Sequence, residues 1–431
     1  MTGGAARLLS GARVIDPATG TDGLLDLFAD AHGIRPAKPR DERGAVRVDL
    51  RGRVVVPAFV EIHAHLREPG GEESETVASG LAAARAGGYG TVLAMANTNP
   101  ANDDPAVTRA MLAASDAAGT GVRLHPVSAA TMGLAGREPA PWREQVAAGC
   151  VAISDDGKPV HDEAVLERVL AAARDLGVPY LSHAECPALL RGPVHDGEAA
   201  RRFGVAGVPT ACESDAVRRE IAAAERLRAP LHVCHVSTAA SIAEIRDARR
   251  RSIRCTAEAT PHHLLLTDEE FLRRGPDTSL KMNPPLRPAE HVEALRAAVL
   301  DGTVTAIATD HAPHAPALKA RPLVEAPFGA IGVETAFAVL HDRLVVGAGW
   351  PLPLLVARMT VGPAEVAGLR AGRLFEGPAA ATVLDPAAPW RVRPETFRSR
   401  SRNCPFAGWE GRGRVVATLL GTHWEDSGAP G

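Results

Sequence analysis

Two histidines, His63 and His65, stand one residue apart at the end of a β-rich run over residues 54–65. Side chains alternate along a strand, so both imidazoles are expected on one face. Two imidazoles on one strand can bind one metal ion, which makes the pair a candidate metal site. Packed or surface histidines would show the same spacing, so the pair needs support from the rest of the chain.

Support comes from four further β-rich runs that end in the same kinds of side chain, namely Asp155-Asp156, His183, His235 and Asp310. Zinc accepts imidazole and carboxylate ligands, and four histidines with two aspartates can hold two ions about 3.5–4 Å apart. A carboxylate after the fourth run would bridge them. We therefore predict a site for two Zn²⁺ ions.

Such a pair of ions would lower the pKa of a shared water toward about 7 and polarise a carbonyl oxygen, which is hydrolytic chemistry. Asp310 would then accept the proton of the attacking water and pass it to a leaving nitrogen. Asp310 also precedes the sequence HAPH, where capping a helix N-terminus is the alternative role.

The elements that must position these residues alternate between β-rich runs and Ala- and Leu-rich helical stretches. Eight β-rich runs occur, over residues 54–65, 91–97, 122–129, 150–156, 178–185, 231–237, 253–263 and 304–314. Eight βα units predict a (β/α)8 barrel of TIM type, and the polar residues stand at the carboxyl ends of the strands, where barrel enzymes place their chemistry.

The two chain ends have a different pattern, with short strand candidates separated by Pro and Gly turns. We predict that residues 1–54 and 363–431 form one small β-rich domain, and that residues 55–362 form the barrel.

The net charge and residue composition of the chain limit the classes of partner that it can bind. The net charge of −3 comes without a basic half, which argues against a nucleic-acid partner and favours a small-molecule substrate. No run reaches the roughly 20 apolar residues that cross a bilayer. Six cysteines without a CxxC pair indicate reduced thiols, and we expect a cytoplasmic protein.

The chain also carries, in collinear order over about residues 10–410, the motifs HAHLREPG, MANTNP, ISDDGKPV, SHAE, CHVST, TPHHLLLTDE, KMNPPLR, IATDHAPH, FGAIGVET and SRNCPFAGW. This ordered set resembles the class I dihydroorotases of the amidohydrolase superfamily. The resemblance implies zinc-dependent, reversible hydrolysis of (S)-dihydroorotate to N-carbamoyl-L-aspartate in pyrimidine biosynthesis.

Position by position, the resemblance implies that His63, His65 and Asp310 bind the first metal ion and that His183 and His235 bind the second. Asp156 is the implied bridge, although a shift of one residue in strand register would substitute Asp155. Many relatives bridge with a carboxylated lysine, but none of the four lysines stands at the end of the fourth strand. An aspartate bridge fits class I.

The implied substrate is a ring with one carboxylate, which calls for a fork-shaped cation. Arg67 is the candidate, with a solvated surface arginine as the alternative. The resemblance adds Asn97, Asn283 and His314, and the backbone of Phe328 and Gly329, as contacts to the carboxylate and ring. For the two asparagines, turn formation beside Pro100 and Pro284 is the alternative. Glu213 and Glu258 are candidates for orienting ligands.

Ala58 and Glu61 replace the Gly and Asp that usually precede HxH in this family, and neither is an expected ligand. Two alternative functions are an allantoinase or hydantoinase on the same scaffold, and an inactive homologue that serves as a structural partner of aspartate transcarbamoylase. We also expect a homo-oligomer, and the segment 313–327, rich in Pro and Ala, is a candidate lid.

Overall fold

Strands from the whole length of the chain build four sheets in the computed structural model, which describes residues 5–427. The strands in chain order are β1 (Arg7–Ser10), β2 (Arg13–Asp16), β3 (Thr21–Leu24), β4 (Leu27–Asp30), β5 (Gly33–Pro36), β6 (Val46–Asp49), β7 (Val54–Pro57), β8 (Phe59–Ala64), β9 (Tyr89–Ala94), β10 (Arg123–Ala129), β11 (Ala152–Ser154), β12 (Tyr180–Ser182), β13 (Val194–His195), β14 (Gly207–Val208), β15 (Leu231–Val233), β16 (Cys255–Ala259), β17 (Ala306–Ile307), β18 (Ala380–Arg391), β19 (Glu410–Leu420) and β20 (His423–Asp426).

The largest sheet has eight strands in the order β17-β16-β15-β12-β11-β10-β9-β8, and its registered pairs run parallel. A parallel bridge between Ala64 and His311, with a 2.8 Å hydrogen bond from His65 N to His311 O, connects the first strand to the segment after the last. The sheet therefore curls into a TIM-like barrel, and the α/β class predicted from the alternating runs is confirmed.

Helices connect most of the strands of this sheet. In chain order the helices are α1 (Val77–Ala86), α2 (Pro105–Ala118), α3 (Trp142–Ala148), α4 (Glu163–Leu176), α5 (Glu198–Phe203), α6 (Ala211–Leu227), α7 (Ala239–Arg250), α8 (Pro261–Leu265), α9 (Glu269–Arg274), α10 (Ala289–Leu300), α11 (Pro316–Lys319), α12 (Ala336–Leu340), α13 (Leu352–Met359) and α14 (Val361–Val366). Within residues 5–427, no helix is long and apolar enough to cross a membrane.

Helix α4 shows how the sequence sets these boundaries. The Asp162 side chain accepts a hydrogen bond from Val165 N at the start, and Gly177, with φ of 73°, ends the helix in the left-handed conformation. The buried side chains recur at helical spacing and are Val165, Leu166, Val169, Leu170 and Ala173. The helix thereby packs one apolar face inward.

The run over residues 54–65 forms two strands, where we predicted one. Strand β7 pairs with β2 and β18 in a six-stranded sheet, whereas β8 begins the barrel. The change of sheet occurs at Ala58, whose N–H donates to Ala380 O while the next residue, Phe59, donates to Gly88 O. Both strands are buried along their whole length, so the run shows no break in sequence where the sheet changes.

Both chain ends contribute to the six-stranded sheet, whose order is β20-β19-β18-β7-β2-β3. A second, four-stranded sheet has the order β5-β4-β1-β6. The two sheets share an apolar cluster that includes Leu9, Val14, Leu27, Val55 and Leu419.

Candidate metal centre and cavity

The predicted metal ligands converge at the carboxyl end of the barrel strands. His63 lies in β8 and His65 just beyond it, and the others follow their strands by one to three residues, as Asp156 after β11, His183 after β12, His235 after β15 and Asp310 after β17. All six side chains are buried. The ring centroids of His63 and His65 are 5.4 Å apart, so alternation did place both imidazoles at one site.

One group of donors surrounds the HxH pair. His63 Nε2 lies 3.3 Å from Asp156 Oδ1, and His65 Nε2 lies 3.4 Å from Asp156 Oδ2. Asp310 Oδ1 is 3.1 Å from His65 Nε2 and 3.6 Å from His63 Nε2. The candidate ligand atoms of His63, His65 and Asp156 lie within 4.8 Å of one another, a spacing that one ion can span.

A second group shares Asp156 with the first. His183 Nδ1 lies 2.9 Å from His235 Nε2, and both nitrogens face Asp156 Oδ1, at 3.4 and 3.5 Å. Asp156 thus belongs to both of these groups of candidate ligands. This arrangement suits a carboxylate between two ions.

The donor set fits a bound cation. His63 Nε2 and Asp156 Oδ1 are buried and have no hydrogen-bond partner among the described residues. A buried polar atom without a partner is costly, and these two point at each other across 3.3 Å. Imidazole nitrogens and carboxylate oxygens are the ligands that a zinc-like ion accepts, so the residues fit such a group.

Charge at the site also favours a cation. Burial raises the pKa of Asp310, but the hydrogen bond with His65 and the charge of His63 outweigh burial and lower it to about 2. Burial likewise raises the pKa of Asp156, and His63 reverses the effect and holds it well below the usual range. Both carboxyl groups are therefore ionised at neutral pH, and in this buried site each needs a positive partner, which a protonated imidazole or a metal ion can supply.

Asp155 faces away from this site. Its Oδ1 accepts hydrogen bonds from Ala130 N at 2.7 Å and Thr131 N at 3.0 Å, and its Oδ2 accepts one from the Thr131 hydroxyl. Asp155 therefore holds the turn after β10, while Asp156 enters the cavity. Strand register alone did not decide which of the two aspartates faces the site, and in the structure it is Asp156.

Three of the site residues have backbone conformations that are uncommon for side chains larger than glycine. Arg67, His235 and Asp310 have φ of 59°, 33° and 46°, and they are half of the six non-glycine residues with positive φ in the described chain. Such conformations cost free energy and persist where surrounding contacts determine them. Their concentration here marks the site as one that the fold holds under strain.

Glu258 and Asn97 orient the HxH pair. Glu258 Oε1 lies 2.6 Å from His63 Nδ1, and Asn97 Oδ1 lies 2.8 Å from His65 Nδ1. Because each Nδ1–H donates to an oxygen, each Nε2 is left free to face the cluster. His232 Nε2 binds the other oxygen of Glu258 at 3.1 Å. For Asn97 we predicted a substrate contact, and the structure adds this histidine contact.

Glu185 is a site residue that the sequence analysis missed. Its Oε2 accepts a 2.5 Å hydrogen bond from Asn283 Nδ2 and lies 3.4 Å from His183 Nε2. Glu185 therefore orients His183 from the side opposite His235. Its position two residues after His183 in the motif SHAE was the available signal. Glu213, which we predicted as a candidate for orienting ligands, accepts hydrogen bonds from Ser237 N and Thr238 N and holds the turn after His235.

The candidate substrate residues line the same cavity as the metal-type ligands. Arg67 Nε donates to Pro313 O at 3.1 Å, and burial lowers the pKa of this guanidinium to about 10, so it keeps its charge at neutral pH. His314 Nε2 donates to Phe328 O at 2.7 Å. Gly329 has φ of 133°, and a Cβ there would lie 2.8 Å from Ala312 Cβ, so this close approach requires glycine.

These residues enclose one cavity of about 180 Å³. Its lining residues are His65, Arg67, Asn97, Asp156, Gly157, His183, His235, Asn283, Asp310, Ala312, His314, Phe328 and Gly329. The structure thus brings eleven of the twelve predicted site residues to one cavity wall, and His63 lies directly behind it, in contact with Asp156 and Asp310.

Comparison with known proteins agrees with this geometry. A family model described as Dihydro-orotase-like matches residues 52–241. The chain is 46% identical over 428 residues to the dihydroorotase of Anaeromyxobacter dehalogenans strain 2CP-1, covering 97% of this chain and 98% of that one. It is 40% identical over 418 residues to the dihydroorotase of Geobacter metallireducens, with 96% and 98% covered.

Solved structures with the same fold include an L-hydantoinase from Arthrobacter aurescens, with a TM-score of 0.85, 21% identity, and 97% and 95% of the two chains covered. A dihydropyrimidinase from Brevibacillus agri has a TM-score of 0.79 at 20% identity, with 97% and 94% covered. At such identities the likeness establishes the fold.

The barrel-end cluster and this shared fold define a cyclic amidohydrolase of the amidohydrolase superfamily, a class of metal-dependent enzymes. Within that class, the near-complete matches at 40–46% identity show that the chain belongs to the dihydroorotase family.

Proposed function

We propose that this chain catalyses the reversible hydrolysis of (S)-dihydroorotate to N-carbamoyl-L-aspartate in pyrimidine biosynthesis. The observation that carries the proposal is the 46% identity to a dihydroorotase over nearly the whole of both chains. The cavity supports it, because a half-buried guanidinium and a cluster of metal-type ligands line one space of about 180 Å³. A ring with one carboxylate and one hydrolysable amide needs both.

For the metal we propose two Zn²⁺ ions per subunit. His63, His65 and Asp310 would hold the first and His183 and His235 the second, with Asp156 between them, in line with the two ligand groups that share this residue. Such ions supply an activated water and polarise the amide carbonyl. This ligand set, with an aspartate in place of a lysine, also supports assignment to class I.

In the reaction, Asp310 would serve as the general base and acid. Its carboxylate lines the cavity, is ionised at neutral pH, and is held 3.1 Å from His65 Nε2. An ionised carboxylate at this position can accept the proton of the attacking water and deliver it to the amide nitrogen as the ring opens. The reverse cyclisation uses the same transfer in the opposite direction.

Substrate binding would centre on Arg67. Its half-buried guanidinium is positioned to pair with a ring carboxylate, with Asn97, Asn283 and His314 around it. The backbone of Phe328 and Gly329 would meet the polar edge of the ring. The side-chain carboxylates of Asp156 and Asp310 line the same cavity and would repel a misoriented substrate carboxylate.

At the level of the whole chain, we propose that the two chain-end sheets form one small β domain, made of residues 1–57 and 363–431 around a barrel of residues 58–362; strand β7 (Val54–Pro57) moves the first boundary three residues beyond the predicted one. The shared apolar cluster of the two sheets supports this division.

We further propose a cytoplasmic homo-oligomer and, from the family resemblance, aspartate transcarbamoylase as a protein partner. Size-exclusion chromatography with and without that enzyme would test both assemblies.

The substrate test uses the purified protein with added zinc on dihydroorotate, allantoin and dihydrouracil, following ring opening of each. We expect opening of dihydroorotate and no comparable turnover of the other two. Turnover of allantoin without turnover of dihydroorotate would overturn the proposed substrate. A metal-loaded protein inactive on all three would instead support the inactive structural partner.

The metal test uses His63→Ala, with the exposed His32→Ala as its control. We expect loss of bound zinc, measured by elemental analysis, together with loss of turnover, because His63 Nε2 faces Asp156 and Asp310 at 3.3 and 3.6 Å. Full activity in His63→Ala would contradict the ligand assignment.

A further inference from the structure

Two of the four lysines of the chain are buried beside the cavity. Lys281 and Lys319 are 3% and 8% exposed, whereas Lys38 and Lys158 are exposed. Lys281 follows a short 3-10 helix over Thr278–Leu280, and Lys319 is the last residue of α11. The proposed chemistry uses neither of them.

Both amines donate to backbone carbonyl oxygens. Lys319 Nζ lies 3.0 Å from Pro327 O, 3.0 Å from Gly329 O and 3.4 Å from Lys281 O. Lys281 Nζ lies 2.7 Å from Leu323 O and 3.0 Å from Val324 O. Four of these five acceptors belong to the segment 323–329, so the two amines hold one stretch of backbone at both of its ends.

Lys281 also contacts the last two residues of this stretch, Phe328 and Gly329. Its Nζ lies 4.5 Å from the centre of the Phe328 ring, within the range of a cation–π interaction. Its carbonyl oxygen accepts a hydrogen bond from Gly329 N at 2.9 Å. Each residue whose backbone we assign to the substrate site is thus contacted by at least one of the two lysines.

Burying these two amines costs free energy, because each loses its contact with water. Burial, together with the smaller effect of the nearby charge of Lys281, lowers the pKa of Lys319 to about 7. The hydrogen-bond acceptors of both amines are neutral carbonyls, so no carboxylate in direct contact offsets the loss of hydration. An apolar side chain would fill the same volume without this cost, which points to the donors themselves as the reason for lysine.

The held segment ends at the cavity wall. Phe328 and Gly329 line the cavity, Phe328 O accepts the hydrogen bond from His314, and Asn403 Nδ2 gives Gly329 O a second donor at 3.0 Å. Without the lysines, the carbonyls of residues 323, 324 and 327 would lose the side-chain donors described for them. The backbone before Phe328 would then sample other conformations.

We propose that Lys281 and Lys319 are positioning residues that hold the segment 323–329 in the conformation that binds the substrate ring. The inference rests on the proposed function, because it takes the Phe328–Gly329 backbone as part of the ring site. A protein whose binding-competent form is only one-tenth populated shows an apparent affinity lowered about tenfold. Neither amine contacts the metal cluster, so the chemical step itself should be little affected.

The test compares Lys319→Met and Lys281→Met with the exposed control Lys38→Met. Methionine matches the length of lysine and removes the amine. For both buried variants we expect KM for dihydroorotate to rise at least about tenfold while kcat stays within about threefold, the pattern of lost ground-state binding. Zinc content should stay at the wild-type level, and Lys38→Met should match wild type throughout.

A second readout does not depend on activity. Amide hydrogen exchange, followed by mass spectrometry, should become faster in residues 320–330 of both buried variants and stay unchanged in peptides from the rest of the barrel. Lys319→Arg, which keeps charge and donors, should recover part of the protection and part of the KM.

The results of these experiments distinguish failure of the positioning role from failure of the proposed function. Unchanged KM and unchanged exchange in Lys319→Met would overturn the positioning role. A parallel fall in kcat, zinc content and melting temperature, without recovery in Lys319→Arg, would also overturn it, because it would show a general packing role. If wild type does not open dihydroorotate, the proposed function fails, and the exchange comparison still decides whether the lysines hold the segment.

Discussion

At the scale of single residues, the metal centre depends on side chains that are adjacent in sequence and have opposite environments. Asp155 and Asp156 share a strand end, yet one carboxylate binds backbone N–H groups and the other faces four imidazole nitrogens. Because strand residues alternate between faces, neighbours of the same chemical type acquire different tasks. The pair therefore allows a matched comparison.

We expect Asp156→Ala to lose bound zinc and to lower turnover by more than the roughly 100-fold that removal of an outer hydrogen-bond partner costs. Asp155→Ala should keep zinc but lower the free energy of unfolding by about 2–4 kcal/mol, because the Ala130 and Thr131 N–H groups lose their acceptor. Metal analysis and urea unfolding of both variants measure these effects. Zinc loss in Asp155→Ala with zinc retained in Asp156→Ala would reverse the assignment.

At the scale of elements, Glu61 connects the first and last strands of the barrel sheet. Its Oε1 accepts a hydrogen bond from His63 N at 2.9 Å, and its two oxygens accept from Thr309 N at 3.0 and 3.1 Å. The side chain is fully buried. It departs from the aspartate expected by family resemblance, and the longer side chain here joins the HxH strand to the segment that carries Asp310.

Glu61→Ala is expected to lower the free energy of unfolding by about 2–5 kcal/mol, because two buried N–H groups lose their acceptor and a cavity remains. Zinc affinity should fall as well, since His63 and Asp310 are both attached to the strands that Glu61 joins. Glu61→Gln keeps an oxygen in place and serves as the control. Denaturant unfolding and zinc titration measure the two effects, and a Glu61→Ala variant as stable as Glu61→Gln would refute this role.

At the scale of the whole molecule, residues far apart in sequence hold the C-terminal part of the chain against the barrel. Glu334, just before α12, accepts hydrogen bonds from Arg398 N at 2.9 Å and Ser399 N at 3.1 Å. Glu75, just before α1, binds Ser399, Arg400 N and His311. The loop that carries SRNCPFAGW is therefore fastened to two elements, and its Asn403 reaches Gly329 at the cavity.

Glu334 makes this attachment sensitive to pH. Burial raises its pKa from 4.5 to about 7, against the opposing effect of its backbone hydrogen bonds. Between pH 4.5 and 7 the folded state holds a proton that the unfolded state has released, so the contribution of Glu334 to stability falls as pH rises through this range. We expect the stability of wild type relative to Glu334→Gln to decrease from pH 5 to pH 8. If the melting temperatures of the two proteins changed with pH in parallel, this role of Glu334 would be refuted.

Much of this molecule could be predicted from the sequence. The HxH pair, the three other candidate ligands at strand ends and Asp310 were all recognisable, because strand alternation and the carboxyl-end rule are local patterns that one run of residues displays. The eight β-rich runs indicated the barrel for the same reason. Arg67, Asn97, Asn283, His314, Phe328 and Gly329 came from collinear motifs, and they do meet at one cavity.

Tertiary structure alone decided the features that depend on which strand lies beside which. It divided residues 54–65 between two sheets, turned Asp155 away from the cluster, and brought Glu185 and Glu258 to the histidines. It also buried Lys281 and Lys319 against the backbone of residues 323–329, with Lys319 itself inside the candidate lid 313–327. The alternation of side chains along a strand predicts which residues share a face. What that face contacts depends on strand pairing and loop packing, which are determined by residues distant along the chain.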